Sequence, residues 1–230
     1  MTKKRIATLA TCIALVGTVA VGGTLALLSS NTATLTNTFT IGNGYPEQAL
    51  TLDEDKVAQV TTGTTNFGGY EAIVGEGAGR VPGQAYNNLV ANTILDKDPT
   101  FHLAAESPNS WIIAKVEGVD ELKAKDITIN GQLPGNYGWY KLNTETGEAT
   151  AINSYAELVD GYYVTTTTIV ADASTDDLFE ELQVGANVTR GELDNIVVSG
   201  VAVEAVTGVW AQDGAAVVAQ AKTAGFIPAE

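Results

Sequence analysis

The side chains able to do chemistry are few and mostly acidic. A single histidine, His102, lies in the stretch Thr100 to Ala105 with no second histidine at metal-ligand spacing, so neither an HExxH nor an HxH zinc site can be built around it. A structural or surface histidine is the simpler reading. There is no GxSxG elbow, and the one cysteine, Cys12, stands near the amino terminus. The glycine-rich run Gly75 to Gly79 leads into Arg80 and Val81 rather than Lys-Ser or Lys-Thr, which makes it a turn and not a phosphate cradle. Three acidic groups stand out: Asp53-Glu54-Asp55, Asp96 with Asp98, and Asp172 with Asp176 and Asp177. Their oxygens suit calcium, although none follows the twelve-residue EF-hand pattern. Solvated acidic turns are the plainer expectation, with calcium the one cofactor left open. A carboxylate pair for glycoside hydrolysis would need a sugar-binding cleft, of which 7% aromatic residues with three Trp give little sign. The residues therefore point away from an enzyme.

Composition narrows the partners. A formal net charge of −15 with only 12 Lys plus Arg argues against a nucleic-acid partner, because phosphate binding needs a positive patch that releases counterions. Val and Thr are abundant, and their β-branched side chains fit a pleated, half-buried surface, while 24 Gly supply turns. An all-β protein with a few short helices is expected.

The amino terminus sets the compartment. Lys3, Lys4 and Arg5 precede an uncharged run from Ile6 to Leu28, the pattern of an export signal that forms a helix in the membrane. Thr24-Leu25-Ala26 offers small residues at −3 and −1, so cleavage is expected between Ala26 and Leu27; an uncleaved anchor is the alternative. Cleavage would remove Cys12 and three basic residues, leaving 9 basic against 27 acidic residues and a net charge of −18. A thiol-free exported chain must take its stability from its core. It would be secreted or held at the cell surface, touching membrane only through the signal segment.

The elements follow from periodicity. Between Asn31 and Ile41 the residues Ala33, Leu35, Phe39 and Ile41 recur with period two, Asn37 being the one polar residue on that face and Thr filling the other. Further strands are expected at Ala49 to Leu52, Asn92 to Leu95, Thr100 to Ala105, Trp111 to Glu117, Ile127 to Asn130, Tyr137 to Leu142, Tyr162 to Val170 and Ile196 to Val206. Thr61 to Gly83 reads as a long loop or a pair of weak strands. Helical turns are expected at Val119 to Lys125, Asp176 to Leu182 and Ala215 to Ala224, the last closed by Gly225. About nine strands at this spacing suggest a two-sheet β-sandwich, with a jelly roll as the specific expectation. The chain then divides into a signal peptide (1–26), an N-terminal extended strand segment (27–45) and a single sandwich domain (46–230).

Three stretches carry a family resemblance. Gly22 to Asn43 resembles the junction cut by the SipW-type signal peptidase, where a Thr-x-Ala site precedes an Asn-x-Phe-x-x-Gly strand; those positions here are Thr24, Ala26, Asn37, Phe39 and Gly42. LDKDPTFHLAAESPNSWIIAKVE is similar to a KDP-containing strand pair of the same group, with Lys97, Asp98, Pro99 and His102 matching. IVVSGVAVEAVTGVWAQDGAAVVAQA resembles its closing strand and helix. The chain thus resembles the TasA and camelysin family of Gram-positive surface proteins. That resemblance implies a jelly-roll fold, export through a SipW-type peptidase and, for TasA-like members, polymerisation into biofilm-matrix fibres. Camelysin-like members have been classed as metallopeptidases, for which this sequence offers no ligand set. A fibre or pilus subunit is the expected function, with a monomeric adhesin or binding module as the alternative. In a fibre, the strand carrying Ala33, Leu35, Asn37, Phe39 and Ile41 would be donated to the next copy, giving a head-to-tail homopolymer.

Overall fold

The computed structural model describes residues 29–31, 45–62, 66–86, 89–131, 133, 137–188 and 195–229. The expected signal segment, the Ala26–Leu27 junction and the strand positions Ala33, Leu35, Asn37, Phe39 and Ile41 lie outside the described residues. The strands are β1 (Ser29–Asn31), β2 (Leu50–Asp55), β3 (Val57–Thr62), β4 (Asn66–Ala72), β5 (Arg80–Val81), β6 (Ile94–Asp96), β7 (Thr100–Leu103), β8 (Ser110–Glu117), β9 (Ile127–Asn130), β10 (Trp139–Leu142), β11 (Ala149–Ala151), β12 (Gly161–Thr165), β13 (Glu181–Val184) and β14 (Val197–Glu204). Two α-helices, α1 (Val119–Ala124) and α2 (Trp210–Thr223), and one 3₁₀ turn at Tyr155–Glu157 complete the described elements. The protein is mostly β with few helices, and its strands fall into three sheets where two were expected. The sheet orders are β1-β14-β8-β12-β10-β11, β3-β4-β6-β13-β9 and β5-β2-β7.

β8 explains the layering. Its sequence SWIIAKVE is apolar almost throughout because both faces are covered. Ile112, Ala114 and Val116 join a core that also takes Leu95 and Leu182 from the five-stranded sheet and Phe101 and Leu103 from the small one. Trp111 and Ile113 point the other way, onto Val217, Val218 and Ala221 of α2. The six-stranded sheet is therefore the middle layer, with the other two sheets on one face and α2 on the opposite face. Gly200 of β14 is required by this packing: a Cβ there would lie 2.2 Å from Cε1 of Phe101, so only glycine lets that ring sit on the strand.

Several expected elements shift. Asp176 to Leu182 is not a helix, because its carbonyls are taken by distant donors: Trp139 Nε1 donates to Asp176 O (2.9 Å), Tyr137 Oη to Leu178 O (2.6 Å) and Lys97 N to Glu180 O (2.9 Å). The segment runs extended and enters the sheet as β13 between β6 and β9. The strand expected over Tyr162 to Val170 stops at Thr165, and beyond a bend Ile169 exchanges backbone hydrogen bonds with Ser110. α2 starts five residues before its expected beginning. The cause is Asp213, whose buried carboxylate accepts from Trp111 Nε1, the N–H groups of Thr207 and Gly208, and the Thr207 hydroxyl, pinning the first turn to β8 and to the chain entering the helix. Thr61 to Gly83 holds the end of β3, then β4 and β5, the paired-strand form of its two readings.

Candidate functional site

The small sheet brings together the residues with chemical potential. In β2 the alternation puts Leu50 and Glu54 into the interior and Thr51 on the surface, and antiparallel register sets Asp53 opposite Thr100, Thr51 opposite His102 and Asp55 opposite Arg80. Arg80 reaches across this surface and binds three carboxylates: Nε donates to Asp53 Oδ1, and Nη1 to Asp55 Oδ1 (2.9 Å) and Asp98 Oδ2 (2.7 Å). Its Nη2 donates to the carbonyls of Asp53 and Asp98 and to Thr100 Oγ1 (2.7 Å). Burial works against the Arg80 charge, but the hydrogen bonds and charges of Asp53 and Asp98 outweigh it and raise its pKa further above neutrality.

Asp177 joins through Thr100, whose hydroxyl lies 2.7 Å from its Oδ1. Burial pushes the Asp177 carboxyl above its ordinary range and neighbouring Asp98 adds to the rise, while the Thr100 hydrogen bond and Arg80 oppose it. His102 occupies the same surface: its Nε2 is 2.8 Å from Asp53 Oδ1 and its Nδ1 is 2.7 Å from Ser174 Oγ. An isolated antiparallel bridge between His102 and Ser174 holds the second contact in place.

The structure thus sorts the acidic groups. Asp53, Asp55 and Asp98 meet, but around a guanidinium. Glu54 faces inward from the same strand and forms a buried ion pair with Lys97. Asp96 accepts from Ala72 N (2.8 Å), tying β6 to β4. Asp172 forms a left-handed turn, and Asp176 lies against Gly138, where a Cβ would come within 2.4 Å of its Oδ2. Among the described residues no three acidic, histidine or cysteine side chains are arranged to hold a metal ion. Arg80 and Ser174 were not singled out in the sequence as partners, since each meets its contacts only through the register of strands far apart in the chain.

A second surface concerns assembly. β14 pairs with β8 along all eight residues, Val197 to Glu204. On its other side β1 pairs antiparallel with three of them, Ser29 with Val203, Ser30 with Ala202 and Asn31 with Val201. The Val197 to Ser199 end of that edge has no strand partner among the described residues, and Val197 is 49% exposed.

The chain matches no protein-family profile, no curated protein and no solved structure.

Proposed function

We propose that this protein is a secreted structural subunit of an extracellular fibre or biofilm matrix, built on a jelly-roll-like sandwich and polymerised head to tail by donation of its N-terminal strand. The observation that carries the reading is the outer edge of β14, which leaves Val197 to Ser199 without a strand partner among the described residues and is paired, within the same chain, with Ser29–Asn31. This segment, two residues beyond the expected mature terminus at Leu27, lies on the edge of the six-stranded sheet and runs towards Val197. The same register, continued, would set Ala33 opposite Ser199 and Leu35 opposite Val197. Supplied by a neighbouring copy, this strand adds backbone hydrogen bonds for affinity and alternate side chains for register. Leu35, Phe39 and Ile41 would each contribute roughly 1.5–3 kcal/mol on burial, before ordering costs, the last two against acceptor surface beyond the Val197 end of β14. An interface of this kind is heterologous and does not close on itself, so it yields an open filament. The antiparallel neighbours β8 beside β14 and β8 beside β12 are non-consecutive pairs of the kind a jelly roll requires, whereas β6 pairs parallel with β4. The resemblance of the signal junction to SipW-type substrates supports export.

The test uses the thiol-free mature chain. Ser30→Cys and Ala202→Cys are placed in separate molecules, mixed, oxidised and digested. Disulfides joining residue 30 of one copy to residue 202 of another, as covalent dimers, are expected, and a chain carrying both cysteines should give a ladder of chain masses. If crosslinks form only when both cysteines share one chain, and only within it, the strand serves its own domain and the proposal fails.

A further inference from the structure

We propose that Ser174 is an acyl-accepting nucleophile, with His102 as its general base and Asp53 positioning the imidazole. The three residues come from two strands and an isolated bridge position, separated by 49 and 72 positions, yet form one hydrogen-bonded chain: Asp53 Oδ1 to His102 Nε2 at 2.8 Å and His102 Nδ1 to Ser174 Oγ at 2.7 Å. A carboxylate can only accept, so in the neutral imidazole Nε2 carries the proton and Nδ1 is left bare to receive the Ser174 hydroxyl proton. That is the polarity a base needs, and it is fixed by backbone on both sides. Leu103 N donates to Ala173 O and Thr175 N to Phe101 O, each at 2.9 Å, which clamps Ser174 beside His102. The same pairing turns the N–H of Ser174 away from β7. Ser174 is exposed, so a reagent can reach its Oγ.

Charge selects the substrate class. Asp53 belongs to the relay, Arg80 links it to Asp55 and Asp98, and Asp177 joins the same surface through Thr100. Four carboxylates against one guanidinium favour an ester whose acyl group carries a cation. In the reaction Ser174 Oγ bonds to the carbonyl carbon and its proton passes to His102 Nδ1. The bond to the leaving oxygen breaks, and that oxygen takes the proton from the imidazolium and departs as an alcohol or phenol. Water then attacks the acyl-serine, again losing its proton through His102, and the acid leaves with the Ser174 hydroxyl restored.

The experiment treats the mature chain with p-nitrophenyl 4-guanidinobenzoate, following p-nitrophenolate release and locating the adduct by peptide mass. A burst approaching one equivalent with the acyl group on Ser174 is expected, faster than with neutral p-nitrophenyl acetate and absent in Ser174→Ala. His102→Gln should slow the burst by about 100-fold or more, the usual contribution of a general base. Asp53→Asn should lower the maximal burst rate while leaving the half-saturating ester concentration in place, a split that mere loosening of the surface would not produce. Thermal midpoints of the variants show that each is folded. A wild-type chain carrying no acyl group on Ser174, or a folded His102→Gln variant acylated at the wild-type rate, overturns the proposal.

Discussion

Replacing Asp213 with asparagine keeps the shape of the side chain but removes its charge and one of its two acceptor oxygens. The carboxylate is buried, 2% exposed, and takes hydrogen bonds from Trp111 Nε1 (3.0 Å), Gly208 N (3.0 Å), Thr207 N (3.0 Å) and Thr207 Oγ1 (2.8 Å). Oδ2 serves Trp111 and Gly208, Oδ1 serves the Thr207 hydroxyl, and the Thr207 N–H is shared between them at 3.0 and 3.2 Å. An amide nitrogen in place of Oδ2 faces the Trp111 and Gly208 donors, and in place of Oδ1 it faces the Thr207 N–H, while in either pose the remaining bonds lose their charge. Hydrogen bonds to a charged group contribute about 1.5–3 kcal/mol each against about 0.5–1.5 for neutral ones, so weakening all four implies about 3 kcal/mol or more. For a domain of this size that lowers the thermal midpoint by roughly 6–12 °C. The pH dependence has a definite sign. Burial alone would raise the Asp213 pKa, but the hydrogen bonds from Trp111, Thr207 and Gly208 prevail and hold it below the ordinary carboxylate value. A depressed folded-state pKa contributes stability that is complete above the unfolded value of about 3.9 and disappears as pH falls through the folded one. Thermal unfolding followed by tryptophan fluorescence reports directly, because Trp111 and Trp210 pack edge to face beside the site at 5.1 Å. The gap between wild type and Asp213→Asn should be widest near neutral pH and narrow below about pH 4. A variant within about 0.5 kcal/mol of wild type at pH 7, or a gap unchanged down to pH 2, would refute the reasoning.

Three further outcomes follow from the same structure. Gly200→Ala drives a Cβ to 2.2 Å from the Phe101 ring and should destabilise the core by about 1–3 kcal/mol, read as a fall in denaturant midpoint at constant slope. Calcium chloride should leave the thermal midpoint of the wild type unchanged, since a guanidinium already neutralises Asp53, Asp55 and Asp98; a calcium-dependent rise would mean that the ion displaces Arg80. Intact-mass measurement of the extracellular protein should give a chain beginning within a residue or two of Leu27, and a mass retaining Met1 to Ala26 would favour the anchored form.

What the sequence reveals and what it hides are divided by the range of the interactions involved. The strand at Trp111 to Glu117 was legible because its own side chains announce it; that both faces are covered follows from the absence of alternation, a feature of the same seven residues. Asp176 to Leu182 was not, since its pattern of Leu178, Phe179 and Leu182 also suits a short helix, and only the claims of Trp139, Tyr137 and Lys97 on its carbonyls decide the matter. The Arg80 and His102 surface is hidden for the same reason, as it needs the register of β2 against both β5 and β7 before any pair can be named. Part of it left a trace nonetheless. Extending the strand expected at Ala49 to Leu52 through the acidic triplet puts Glu54 in phase with Leu50 and Leu52, on the inward side, and Asp53 and Asp55 on the outward side. An inward carboxylate in a strand demands a buried cation, and outward carboxylates two residues apart repel each other unless a cation lies between them. A chain with so few basic residues must commit two of them here, and it does: Lys97 meets Glu54 inside, while Arg80 joins Asp53 to Asp55 outside. Read as a strand rather than a turn, the triplet by itself calls for both cations, though not for the serine that His102 meets at its other nitrogen.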